Sequence, residues 1–254
     1  GQILPGATGS WRRDLIGIVE WRVAELERRG GPIHTNSYME AGDITALGPD
    51  VVILATGGLP QVDLSEGSEL CVSTWDIVSG QTPVGRDVLV YDGTGRHPAP
   101  LAAERAKEAG ANVTYATIDA NLAEELTYAE RLRWKKRFLS LGLQPISDTR
   151  LLAVRRRDNQ LEAVLLNEVS REEKAVPVDQ VIVEQGSIPM NELFEELRTA
   201  SSNEGVTAIE SFVRAAPQPK AARDGFELHR IGDAVSSRNI HAAMLDAVRI
   251  CSPL

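Results

Sequence analysis

A chain of 254 residues that is 43% hydrophobic and 25% charged can bury one large core or two small ones, which argues against wholesale disorder. Its formal net charge of −9 argues against nucleic acid and against an anionic membrane surface, both of which attract basic proteins. Two cysteines, Cys71 and Cys251, without Cys-x-x-Cys spacing exclude a dithiol centre or a cysteine-ligated cluster within this stretch and fit a reducing, cytoplasmic compartment, and no apolar run is long enough to span a bilayer.

In chain order, Gly1–Gly6 reads as loop. Ser10 can cap a helix over Trp11–Arg29, in which Leu15, Val19, Val23 and Leu26 recur at helical spacing before Gly30-Gly31 ends it. A strand over Ile33–Met39 and a short helical turn opened by Asp43 follow. Val51–Ala55 is a continuous apolar run of β type, suited to a parallel strand buried on both faces. The pattern restarts near Gly80–Gly85. The strand Asp87–Tyr91, a glycine-rich turn, the helix Pro100–Ala109 and the strand Val113–Thr117 make a β-turn-α-β unit of dinucleotide-binding type. A helix over Ala123–Leu141 comes next. Leu151–Arg155, Leu161–Asn167 and Lys174–Val178 alternate like an antiparallel meander. Val181–Val183 is again a buried strand, Asn191–Arg198 a helix and Ser201–Asp224 a linker. Glu227–Ile231 is a strand, followed by the turn Gly232-Asp233 and a helix over Asn239–Ile250.

Three strand-then-glycine turns carry the chemistry. The first ends Val51–Ala55 in Thr56-Gly57; glycine adds no Cβ and accepts positive φ, so a nucleotide can approach the backbone there, or the turn is simply tight. The second is Gly93-Thr94-Gly95-Arg96-His97-Pro98, placed after a strand and before a helix as a phosphate-binding turn would be. It departs from the full fingerprint: Pro98 stands where a third glycine belongs and has no N–H, and Asp92 brings negative charge to the phosphate position. Both departures weigh against NAD(P) binding. Asp119, after the following strand, could accept a ribose hydroxyl or cap a helix. The third turn is Ile231-Gly232-Asp233-Ala234, where Asp233 could accept hydroxyls of a ribityl or ribose chain or act as a helix cap. His34, His97, His229 and His241 show no metal spacing, and the runs Lys135–Arg137 and Arg155–Arg157 read as solvated faces. No side chain has the company a catalytic residue needs.

Taken together and in this order, the turns resemble the NADH:flavin oxidoreductases of the old-yellow-enzyme type that carry two additional dinucleotide-binding domains, the trimethylamine dehydrogenase-like family. The likeness runs through Gly1-Gln2, Pro49–Gly57, Val178–Val183 and Ile231–Ala234. It implies an α/β fold of two Rossmann-like domains of the flavoprotein-reductase type, the second inserted in the first and the first truncated at its N-terminus. Residues 1–80 with 196–254 would form the ADP/FAD-binding domain, and residues 81–195 the NAD(P)-binding-like domain. Thr56, Gly57, Gly232 and Asp233 would line the pocket for ADP or FAD; Gly93 and Gly95 would face NAD(P). FMN and a 4Fe-4S centre would belong to an N-terminal barrel outside this stretch. That barrel is an implied partner, an electron-transfer flavoprotein another, and a homo-oligomer the implied assembly. The change at Glu184 and the Pro98 turn lean toward the amine or N-methyl amino-acid dehydrogenase/demethylase branch. An NAD(P)H-dependent enoate or 2,4-dienoyl-CoA-type reductase and a non-catalytic nucleotide-binding or docking module are the alternatives.

Overall fold

A computed structural model describes residues 1–221 and 223–254; Ala222, inside the expected linker, lies outside the described residues. The elements begin with helices α1 (Ile3–Gly6), α2 (Ile16–Arg28) and α3 (Ala41–Ala46) and strands β1 (Val51–Leu54) and β2 (Gly58–Pro60). Then come β3 (Cys71–Ser73), α4 (Thr74–Val78), β4 (Asp87–Asp92), α5 (Pro98–Glu108), β5 (Asn112–Thr117), α6 (Tyr128–Leu141) and β6 (Pro145–Ile146). The antiparallel strands are β7 (Thr149–Arg157), β8 (Gln160–Asn167) and β9 (Glu173–Val178), followed by β10 (Gln180–Glu184) and β11 (Ser187–Pro189). The chain closes with α7 (Glu192–Arg198), α8 (Ile209–Arg214), β12 (Glu227–Arg230) and α9 (Ile240–Cys251).

These elements form two compact units. The first holds Gly1–Gly31 and Pro60–Gly186, the second Pro32–Leu59 and Ser187–Leu254. The joins therefore fall near residues 31, 59 and 186, where the sequence reading set them at 80 and 195. The reason lies in two contacts of the first unit. β3 pairs with β10, and Trp11 packs against the core around Trp134.

The first unit has three layers. Its middle is a five-stranded parallel sheet in the order β3-β10-β4-β5-β6. Side chains alternate across a strand, so Val88 and Val90 of β4 face a helical layer while Leu89 and Tyr91 face the other way. On the helical side they meet Leu101, Ala102 and Ala106 of α5 and Trp134 and Phe138 of α6. On the opposite side Leu151, Val154, Ala163 and Leu165 of the β7-β8-β9 meander close over them. Both faces are thus covered, which is why β4 and β10 read as unbroken apolar runs. Each fully buried aliphatic side chain of this kind contributes roughly 1.5–3 kcal/mol.

The second unit is smaller. β1 and β12 run parallel, with Ile53 opposite His229 and Leu54 opposite Arg230. Val52, Leu54 and Leu228 pack against Phe194 and Leu197 of α7.

Four expectations are corrected. Ile33–Met39 is not a strand: the segment is exposed and no described residue pairs with it. α6 begins at Tyr128 instead of Ala123, because Ala123 takes a left-handed φ of 55° that a helix cannot continue through. The helix expected from Trp11 starts at Ile16, after a 3-10 turn over Arg13–Leu15. The expected linker contains α8.

Candidate functional site

In the second unit the parallel register of β1 and β12 sends both following turns out of the same, C-terminal end of the strand pair. That is the end at which open α/β sheets bind ligands. The structure brings Thr56, Gly57, Gly232 and Asp233 there. Gly57 has φ 76°, and the space a Cβ would enter is open. The Thr56 hydroxyl donates to the Met190 carbonyl at 3.2 Å, and the Met190 N–H donates to the Gly57 carbonyl at 3.1 Å, so the turn is fixed from below. Gly58 admits no side chain: a Cβ there would stand 2.6 Å from the Ile188 carbonyl oxygen.

The partner turn is held by acids. Gly232, at φ 63°, donates its N–H to the Asp246 carboxylate at 2.9 Å. Asp246 is buried and also receives the Arg238 guanidinium. Asp233 accepts the Arg238 N–H at 3.2 Å through one oxygen. The sequence reading missed Asp246. Its signal was an acid one turn before the buried Ile250 on an otherwise apolar helix face, where a carboxylate needs a donor.

In the first unit Gly93 and Gly95 lie between β4 and α5, as expected, but the turn is satisfied from within. Asp92 is fully buried. One of its oxygens accepts the N–H groups of Thr94 at 3.0 Å and Gly95 at 2.9 Å; the other accepts the Tyr115 hydroxyl at 2.6 Å. Gly95 has φ 61°, and a Cβ there would fall 2.4 Å from the Asp119 carboxylate. Asp119 therefore lies against the turn. The first turn of α5 carries Pro98 and Pro100, neither of which has an N–H to offer a phosphate.

Glu184 sits beside Asp92 in the β10–β4 register and is also buried. Its carboxylate accepts the Thr74 hydroxyl and, at 3.1 Å, the Gly186 N–H. Burial raises the Asp92 pKa to about 6 against the lowering effect of the Tyr115 hydrogen bond. Burial, with the charge of Asp92 adding to it, raises Glu184 to about 7. Asp119 is raised by burial and by the charges of Glu124 and Glu125.

His97, the residue before α5, is structural. Its Nδ1 receives the Trp134 indole N–H at 3.0 Å and the Arg12 guanidinium at 2.5 Å. With two donors on Nδ1 the ring proton must sit on Nε2, which donates to Glu130 at 3.2 Å. Burial, followed by the charge of Arg12, lowers the His97 pKa to about 4.

No protein-family model matches the chain. It is 42% identical over 258 residues to the multifunctional alkene reductase/demethylase OYE of Caballeronia cordobensis, an alignment that takes in 100% of this chain and 38% of that protein. It is 40% identical over 253 residues to a probable N-methylproline demethylase of Rhizobium meliloti, covering 98% of this chain and 37% of the relative. Along essentially its whole length the chain is thus similar to a part of each of these two oxidoreductases. The fold is shared more widely. The 6-hydroxypseudooxynicotine amine oxidase of Pseudomonas geniculata N1 superposes with a TM-score of 0.80 at 20% identity, over 100% of this chain and 37% of that one. The chain spans a little over a third of the length of the curated relatives it matches. Among its described residues no helix is long and apolar enough to cross a membrane.

Proposed function

We propose that this chain is the C-terminal dinucleotide-binding region of an amine or N-methyl amino-acid dehydrogenase/demethylase, with ADP or FAD on the second unit and no nicotinamide cofactor on the first. The observation that carries the reading is the difference between the glycine turns. The N–H groups of the Gly93–Gly95 turn are given to Asp92, and the α5 start that follows is proline-rich. At the Thr56-Gly57 turn the space that a Cβ on Gly57 would enter is open. There Gly57 would let an adenine nucleotide approach the backbone, and Asp233 would accept a ribose or ribityl hydroxyl through its carboxylate. Bound FAD would supply two-electron chemistry and bound ADP none; with either, these residues would only seat and orient the nucleotide. FMN and a 4Fe-4S centre belong to the preceding barrel in this reading, and electrons leave to an acceptor protein such as an electron-transfer flavoprotein. The domain assignment follows the same lines: an ADP/FAD-type second unit and an NAD(P)-type first unit, in a cytoplasmic homo-oligomer. Cys71 and Cys251 are both free thiols, in keeping with that compartment.

A second reading, an NAD(P)H-dependent enoate reductase, draws on the alkene reductase named in the Caballeronia cordobensis relative. Anaerobic titration of the full-length protein separates the two. The flavin absorbance is expected to bleach with an N-methyl amino acid such as N-methylproline and to stay unchanged with NADH or NADPH. Rapid bleaching by either nicotinamide cofactor would overturn the first reading in favour of the second.

A further inference from the structure

Asp92 does more than close a turn. Three donors from two elements converge on one carboxylate with no access to water: the Thr94 and Gly95 N–H groups from the turn and the Tyr115 hydroxyl from β5. The Thr94 hydroxyl lies 3.4 Å from the same oxygen that accepts the two N–H groups. Successive N–H groups aimed at one point after a strand, ahead of a helix, are what an oxyanion of a ligand uses in folds of this kind. Glu184 repeats the arrangement on the neighbouring strand, taking the Gly186 N–H and the Thr74 hydroxyl.

We propose that Asp92 is a built-in anion, a specificity-determining residue whose carboxylate fills the oxyanion position of the Gly93–Gly95 turn and so excludes the phosphates of a dinucleotide. This rests on the reading that the first unit takes no nicotinamide cofactor, and it names the residue responsible. The acids around the turn act in the same sense. Asp119 stands against Gly95, and Glu124 and Glu125 raise the Asp119 pKa by their charge, so a second anion meets a negative wall. Arg96 is the cation felt at Glu184, and Tyr115 and Thr74 contribute neutral donors.

The test is chemical replacement of the lost carboxylate in the full-length protein. Asp92→Ala leaves the converging donors without an acceptor and a gap the size of formate. The expected result is a lowered melting temperature for Asp92→Ala that sodium formate raises saturably, beyond the effect of sodium chloride at equal ionic strength. Wild type and Asp92→Asn, whose side chains still fill the position, should show no such rise. Should Asp92→Ala fail to fold, Asp92→Ser keeps a hydroxyl acceptor for the turn and carries the same comparison. No response to formate, or an equal response in all the proteins, overturns the assignment. A formate-inert variant in a protein that NADPH does not reduce overturns it alone and leaves the functional reading standing. Reduction of the wild type by NADPH overturns both.

Discussion

Replacing Trp134 by alanine is expected to destabilise the first unit by about 3–5 kcal/mol, enough to lower its melting temperature by roughly 10 °C. Trp134 is fully buried in α6. Its ring meets Trp11 edge-on at 5.3 Å between centroids, and its indole N–H holds the His97 ring. Losing it opens a cavity, removes the aromatic pair and leaves His97 Nδ1 with Arg12 alone. Trp21 is the control: it is 64% exposed, and Trp21→Ala should change stability by no more than about 0.5 kcal/mol. Thermal unfolding followed by circular dichroism measures both. Equal effects for the two variants would contradict the packing described for the helical layer.

The second large effect is a pH dependence set by Asp92 and Glu184, whose folded pKa values stand at about 6 and about 7. Both lie above the ordinary carboxylate range, so the folded state holds these protons more tightly than the unfolded chain does. Below about pH 4 both states are protonated and nothing is lost. As pH rises from about 4 through 7 the folded state gives up protons against burial, and stability falls; above that window the loss is complete. Each carboxyl is expected to cost on the order of 3 kcal/mol at pH 8. His97 works in the opposite sense, because its pKa of about 4 lies below the ordinary histidine value, so stability present near neutrality is lost as pH falls. Comparing wild type with Asp92→Asn/Glu184→Gln cancels the His97 contribution, which both share. In urea unfolding the double variant should gain on wild type as pH rises from 5 to 8. Parallel pH profiles would contradict the account of the buried pair.

Much of the first unit was legible in its residues. The apolar runs at Val88–Tyr91 and Val181–Val183 announced strands covered on both faces, and the alternating segments between 149 and 178 announced the meander. The Gly93–Pro98 turn was legible too, including the awkward charge of Asp92, because proline chemistry and strand-end position are local properties. What escaped depended on distant partners. Ile33–Met39 has strand composition, but a strand exists only with a neighbour's ladder, and no described residue supplies one. Asp246 caps Gly232 across 14 positions of sequence, and Glu184 meets Asp92 only through the β10–β4 register. Ala123 breaks its helix because Glu125 donates its N–H back to the Gly95 carbonyl at 3.1 Å, a tertiary bond that overrides helix propensity. By contrast Ser73 and Asp76 form a capping box that opens α4, a signal present in the sequence and left unread.

The central claim is that the Thr56-Gly57 turn takes an adenine nucleotide and the Gly93–Gly95 turn takes none. Amide hydrogen exchange on the full-length protein, with ADP and separately with NADPH, tests it most directly. The account predicts slowed exchange at residues 54–58 and 231–234 with ADP and no change at residues 92–98 with NADPH. Protection of residues 92–98 by NADPH would contradict it.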